Sequence, residues 1–318
     1  MNDRLKIKTI HVEYTTKCDS KCVMCDYWKN GQNTTIDNEL LYKTISDFVA
    51  CGIKTVYFTG GECLTEASAL FEITRKLKRA FPALKLKLIT NGLLLEKYSD
   101  SVGEIFSVVI ISLDTINREL YKKIRGVDGV DKIKHGINLL KEQFPNTQIN
   151  IRTLVMDSNI KYLDDIIDFV CLTGLDKISF IAEDVRSRVS FGRNNCTFTE
   201  KHYDGSIVSQ INDKINEYKI KYKKLLGNVL SRNCKDLEYI RDIYSGVNKR
   251  AKCSKAYCSC VIGADNIISP CFFIKGEFKL STDICLKEIV ESDDYKKMID
   301  NCVMDQFCMN CPCPKILS

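Results

Sequence analysis

No stretch of the 318 residues contains the ~18 consecutive apolar side chains that a membrane-spanning helix needs. Residues 1–14 alternate charge with branched side chains and lack the continuous apolar core of a secretory signal. Charge is not gathered into a basic tail. The 47 Lys and Arg and 41 Asp and Glu give a net charge of +6, spread through the sequence in short runs such as the basic 76–79 and 221–224 that read as solvated helix faces. Internal repeats and low-complexity segments are absent as well. These absences predict a soluble cytoplasmic protein without a membrane span and imply no nucleic-acid partner. Cysteine, by contrast, is plentiful. An odd count of 17 in a long chain without a signal peptide does not fit a secreted disulfide framework, so the thiols read as reduced and ligand-forming. A chain of this length buries a sizeable core, and two domains are the working expectation.

Short β-branched runs at 7–14, 55–59, 84–90, 107–113, 148–155 and 176–181 predict six strands. Between them lie helical periodicities such as Leu40, Leu41, Ile45, Phe48 and Val49, or Leu163, Ile166, Ile167 and Val170. This βα alternation predicts a parallel sheet, and right-handed crossovers place every helix on one outer face if the sheet curls. After Ile181 the pattern changes to a polar stretch over 182–200, helices near 202–226 and 236–244, and a cysteine-dense tail beyond a boundary near Lys249. In such folds the loops after the carboxyl ends of the strands build the active site.

The first strand runs into Cys18, Cys22 and Cys25, a C-x3-C-x2-C loop. Three thiolates at this spacing suit an iron-sulfur cluster, whose usual complement is four, and a metal site with one open position is how coordination is reserved for a substrate or cofactor. A zinc knuckle is the alternative. At the end of the second strand stand Gly60, Gly61 and Glu62, where two glycines allow close backbone approach to a ligand and a carboxylate can receive an ammonium group.

These two features together resemble the radical S-adenosylmethionine (SAM) superfamily. The resemblance implies an α/β fold, a partial (β/α)6 TIM-like barrel over 1–195, with a helical connector over 196–249 and a small cysteine-rich auxiliary-cluster domain over 250–318. It implies that Cys18, Cys22 and Cys25 hold a 4Fe-4S cluster whose open iron is chelated by the amino and carboxylate groups of SAM. Gly60, Gly61 and Glu62 match the segment that binds the SAM amino group. Met24 stands where the family prefers an aromatic residue and is expected to pack on adenine. Cys63 stands where proline is frequent. Asn91, after the third strand, and Ser112 and Asp114, after the fourth, match positions that contact the ribose and methionyl moieties, and Arg152 on the fifth strand is expected to face the SAM carboxylate. Their plain alternatives are an ordinary turn at Asn91-Gly92, a helix N-cap at Asp114 and a surface strand residue at Arg152.

Nine of the 17 cysteines fall after Lys252. The tail resembles the SPASM and Twitch auxiliary-cluster domains. Cys253, Cys271, Cys308 and Cys311 fit the Twitch pattern, with a hairpin over 261–268 whose turn is Asp265-Asn266. Cys258, Cys260, Cys302 and Cys313 are left as a possible second auxiliary cluster, and a zinc ribbon on Cys308 and Cys311 is the alternative. One or two auxiliary 4Fe-4S clusters are thus expected. Cys51, Cys171 and Cys285 read as buried small hydrophobes.

The expected activity is that of a radical SAM oxidoreductase or isomerase. SAM is cleaved reductively to a 5'-deoxyadenosyl radical, which takes a hydrogen atom from the substrate, with a flavodoxin- or ferredoxin-type electron donor. Dehydrogenation follows if an auxiliary cluster accepts the second electron. Epimerisation follows if a thiol returns a hydrogen, with Cys258, Cys260 or Cys196 as candidate donors and simple ligation or burial as the preferred alternative for each. The first strand begins within ten residues of Met1, leaving no room for an N-terminal peptide-binding domain. A carbohydrate or cyclitol is therefore the first expectation for the substrate and a ribosomally made peptide the second. A non-catalytic iron-sulfur electron carrier and a zinc-dependent interaction module are the readings from other classes.

Overall fold

Alternation of period two along each strand decides the architecture. The protein is described by a computed structural model covering residues 7–29, 33–184, 191–192, 202–230, 234–247, 255–282, 286–304 and 311. Six parallel strands, β1 (Thr9–Thr15), β2 (Thr55–Gly60), β3 (Lys85–Thr90), β4 (Val108–Ser112), β5 (Gln148–Val155) and β6 (Lys177–Ala182), lie side by side in chain order. All six expected strands form, their ends displaced by two residues at most. The helices α1 (Asn38–Ala50), α2 (Ala67–Ala80), α3 (Leu95–Ile105), α4 (Arg118–Arg125), α5 (Val130–Gln143) and α6 (Leu163–Leu172) connect them.

Ile10, Val12, Val56, Phe58, Leu88, Val109, Ile151 and Phe180 form one continuous core with helix residues such as Leu41, Ile45, Leu70, Ile137 and Ile166. Burial of these side chains against the helices is the main favourable term. The alternate strand positions, His11, Glu13, Tyr57, Lys87, Asn150, Arg152 and Ser179, point to the opposite face. That second face is polar, as befits the inner wall of an open barrel.

The sheet does not end at β1. Its free edge pairs in parallel with β7 (Ser259–Ile262), followed by the antiparallel β8 (Ile267–Ser269) and β9 (Phe278–Lys279), giving nine strands in all among the described residues. The expected tail hairpin is therefore an extension of the barrel sheet. Asn266 occupies its turn at φ +64°, the left-handed conformation expected there. The two later helices also form, as α7 (Gly205–Lys221) and α8 (Lys235–Tyr244). Tyr244 ties α8 to the barrel mouth, donating to Val155 O at 2.6 Å and accepting from Glu183 N at 2.7 Å. The tail adds α9 (Lys255–Cys258), α10 (Leu286–Glu291) and α11 (Asp293–Met304). The expected boundary near Lys249 lies outside the described residues. Among the described residues no helix is long and apolar enough to cross a membrane.

Candidate active site

The cysteine loop follows β1 and has almost no regular structure, so its backbone groups need partners from elsewhere. Some are local: Cys25 N donates to Cys22 O at 3.3 Å, Trp28 Nε1 donates to the same carbonyl at 3.0 Å, and Ser20 N lies 3.5 Å from Cys18 Sγ. Distant segments grip the rest. At the end of α4, Lys21 N donates to Arg125 O at 2.9 Å and Val23 N to Ile124 O at 3.0 Å. Gly126 caps this helix at φ +72°, and a Cβ there would lie 2.5 Å from Lys21 O. On the other side Asp26 N donates to Phe191 O at 2.9 Å, while Gly192 packs so tightly that a Cβ would sit 2.6 Å from Tyr27 N.

The two glycines after β2 make a close approach, as expected, but to the cysteine loop itself. Gly61 N donates to Thr15 O and Glu62 N to Lys17 O, each at 2.7 Å. A Cβ on Gly61 would overlap Lys17 O and lie 2.8 Å from Thr16 O. Glu62 is buried, and its carboxylate accepts from Leu64 N (3.1 Å) and Thr90 Oγ1 (2.9 Å) on Oε1 and from Asn91 N (2.7 Å) on Oε2. Burial pushes its pKa up to about 7 in spite of these donors. An ionised carboxylate has about four acceptor positions, so one remains on Oε2. Cys63 stays inside the structure because its thiol donates to Thr59 O at 3.0 Å.

Asn91 is more than an ordinary turn residue. Its Nδ2 reaches Asp19 Oδ1 (2.6 Å) and Ser20 Oγ (3.0 Å), and its Oδ1 accepts from Leu93 N (3.0 Å), so it ties the end of β3 to the cysteine loop. Asp114 is fully buried and does not cap α4. Asn117 does, accepting from Leu120 N at 2.9 Å. Asp114 instead accepts from Leu154 N at 2.8 Å and pairs with Arg125 at 2.7 Å. Ser112 and Arg152 stand opposite each other on β4 and β5, on the polar face. Met24 packs on a small apolar cluster of Ile124, Leu154 and Met156.

Three functional contacts carried no signal in the sequence: Arg125, whose Nη1 lies 3.8 Å from Cys22 Sγ, Phe191 and Gly192. Their partners in the loop are far away along the chain.

The loop's donor set fits an iron-sulfur cluster. Burial pushes the Cys18 thiol up to about 12 and the Cys25 thiol up to about 11. Both become thiolates near neutral pH only with cationic charge beside them, which cluster iron supplies. Among the described residues no three His, Cys, Asp or Glu side chains close round a single ion. In a four-iron cluster each thiolate meets a different iron.

Of the auxiliary candidates, Cys253, Cys308 and Cys313 lie outside the described residues, as do Cys196 and Cys285. Cys302 falls within α11. Cys271 follows β8 and Cys311 is buried. Cys258 ends α9, its carbonyl accepting from Lys8 N at the amino end of the sheet, opposite the cysteine loop. Cys260 takes the buried alternative and not the hydrogen-donor role. It pairs with Ile10 on β7, is fully buried in the core beneath the helices, and so faces away from the polar wall where a hydrogen donor would have to stand. Cys51, expected to be buried, is exposed at the end of α1, and Cys171 is half-buried.

A parallel α/β sheet with a polar inner wall and three cysteines at the carboxyl mouth of its first strand defines a barrel enzyme built round an iron-sulfur cofactor. The model of the Radical SAM superfamily matches residues 12–170, and the chain belongs to that superfamily; its cofactors are accordingly a 4Fe-4S cluster and SAM. Among similar proteins, the probable GTP 3',8-cyclase of Sulfurisphaera tokodaii is 27% identical over 288 residues, covering 87% of this chain and 88% of that one. The probable GTP 3',8-cyclase of Methanococcus aeolicus is 30% identical over 223 residues, covering 67% and 68%. Among solved structures, anSMEcpe with bound AdoMet matches with a TM-score of 0.68 at 18% identity, over 96% of this chain and 88% of that one. SuiB of Streptococcus suis bound to S-adenosylmethionine matches with a TM-score of 0.67 at 15% identity, over 97% and 72%. At these identities the two structures speak for the fold alone.

Proposed function

We propose that this enzyme takes a hydrogen atom from a carbohydrate- or cyclitol-type small molecule held on the polar face of the sheet, with epimerisation or dehydrogenation as the outcome. The observation that carries this reading is the chemistry of that face. His11 stacks on Tyr57 at 4.7 Å between ring centroids and meets Phe272 edge-on at 5.1 Å, while Lys87 Nζ lies 3.2 Å from Tyr57 OH. Asn150, Arg152 and Ser179 extend the wall across β5 and β6. Convergent polar groups beside aromatic rings suit a polyhydroxylated ring. Glu13 Oε1 accepts from Tyr27 OH at 2.5 Å, and burial pushes its carboxyl up to about 6, so it can hold or take a proton from a substrate hydroxyl near neutral pH.

The bound cluster and SAM supply reductive carbon-sulfur cleavage and the 5'-deoxyadenosyl radical. The chain's own residues orient the cofactor: the remaining acceptor on Glu62 for the amino group, Arg152 for the carboxylate, Met24 for adenine, Asn91 and Ser112 for the polar remainder. Cys253, Cys271, Cys308 and Cys311 would hold one auxiliary cluster. With Cys260 in the core, a second quartet of Cys258, Cys260, Cys302 and Cys313 loses a member, which favours one such cluster. A flavodoxin- or ferredoxin-type protein is the electron donor in this reading.

If Glu62 receives the SAM amino group, it must be ionised to do so. Its affinity for SAM is then full only well above pH 7 and falls as pH drops through about 7, by up to about tenfold per pH unit below it. Equilibrium dialysis between pH 6 and 8 measures this. A flat profile removes Glu62 from the role, and Glu62→Gln is expected to show a flat profile at lower affinity.

The similar proteins named GTP 3',8-cyclase support a second reading, a purine nucleotide substrate, because the likeness to one of them spans 87% of this chain. The deciding experiment offers ring-deuterated sugars and cyclitols, deuterated GTP and deuterated peptides to reduced enzyme with SAM, and follows deuterium into 5'-deoxyadenosine. Transfer from a sugar or cyclitol supports the first reading. Transfer only from GTP or only from a peptide replaces it.

A further inference from the structure

Arg125 closes α4 and looks two ways. Its Nη2 pairs with Asp114 Oδ2 at 2.7 Å, while its Nη1 lies 3.8 Å from Cys22 Sγ. Asp114 is fully buried and held in turn by Leu154 N, and the Arg125 side chain is only 11% exposed. One turn earlier on the same helix face, Tyr121 is buried, and its hydroxyl has no hydrogen-bond partner among the described residues. Cys22 and Arg125 are both among the electrostatic neighbours of that hydroxyl. The backbone of the same helix end holds Lys21 and Val23, on either side of Cys22.

A buried ion pair is a poor device for stability alone, because desolvating two charges offsets most of their attraction. A fixed cation at hydrogen-bond range of a ligand sulfur does something else. Reduction adds one negative charge to a cluster, and hydrogen bonds and positive charge at its sulfurs favour the reduced form.

We propose that Arg125, held by Asp114, is a positioning residue for the cluster, donating to the Cys22 thiolate and making one-electron reduction of the cluster easier. This inference rests on the cluster-binding loop and not on the identity of the substrate. The carboxylate of Asp114 fixes the guanidinium and offsets part of its charge, so the two residues act on the reduction with opposite signs.

An EPR-monitored redox titration of the anaerobically reconstituted full chain tests this, following the signal that changes on adding SAM so that no other cluster is counted. Arg125→Met is expected to shift the reduction equilibrium at least tenfold toward the oxidised cluster, about 59 mV for a one-electron couple. Arg125→Lys, which keeps the charge and loses the planar fork, is expected to shift it less than half as far. Asp114→Asn is expected to shift it the opposite way. A pair that only supports the fold gives no opposed signs: removing either partner then lowers iron content alike. The proposal is overturned if Arg125→Met titrates with the wild type, or if Arg125→Met and Asp114→Asn move together. Should Arg125→Met fail to retain its cluster, Arg125→Lys against Asp114→Asn decides between the same two outcomes.

Discussion

Replacing Cys22 with serine is expected to lower the release of 5'-deoxyadenosine from SAM at least about a thousandfold, equivalent to roughly 4 kcal/mol of transition-state stabilisation, in a protein that still folds. The fold should survive because the loop's shape does not depend on the sulfur. Cys22 O is fixed by Trp28 Nε1 and Cys25 N, and its neighbours Lys21 and Val23 are anchored to the end of α4. Serine keeps these bonds and the side-chain shape in a slightly smaller volume, and it lacks the soft thiolate that an iron-sulfur cluster requires. Three measurements on one sample separate the effects: 5'-deoxyadenosine by chromatography, iron per chain, and the thermal midpoint. Loss of product and of SAM-responsive iron with the midpoint kept is the expected result. Undiminished 5'-deoxyadenosine would remove Cys22 from the ligand set and with it the central role of the loop.

What the sequence disclosed was local in character. Alternation in TIHVEYT and QINIRTLV shows directly which side chains face the helices and which face the polar wall, because a strand repeats every two residues. The C-x3-C-x2-C spacing lies within eight residues and needs no tertiary information. Long-range contacts gave no such signal. Arg125 meets Cys22 across 103 positions, and Phe191 O meets Cys25 across 166. A glycine announces close approach without saying to what: Gly60 and Gly61 were expected to approach a ligand, and within the protein their nearest neighbours include Thr15, Thr16 and Lys17 of the cysteine loop. The burial of Cys260 is also legible locally. Taking Ser259–Ile262 as a strand puts Cys260 and Ile262 on one face and Val261 on the other, and pairing with β1 sets Cys260 beside Ile10 in the core. Its isolation from the polar wall follows from that register.

The glycine turn after β2 leads to the other large effect. Gly61→Ala is expected to cost the protein its SAM-responsive cluster, with iron at that site falling by more than half. A Cβ at this position overlaps the carbonyl oxygen of Lys17 and lies 2.8 Å from both Lys17 C and Thr16 O, all of them backbone atoms one or two residues from Cys18. Overpacking against flexible side chains typically costs ~1–3 kcal/mol. Here relief comes only by moving the loop backbone, which breaks the 2.7 Å bonds from Gly61 N to Thr15 O and from Glu62 N to Lys17 O. Glu62 would move with them, loosening the bonds that bring Thr90 and Asn91 to the loop. The damage should therefore fall on cluster geometry more than on the core, which the helices hold independently. Gly205→Ala is the matched control, since no atom lies within 4 Å of a Cβ there and the residue starts α7. That variant is expected to gain ~0.4–1 kcal/mol through the unfolded chain and to keep its iron. Should Gly61→Ala bind as much SAM-responsive iron as the control, the contact between the glycine loop and the cysteine loop does not hold the cluster site, and the cysteine loop is shaped by α4, Asn91 and Phe191-Gly192 instead.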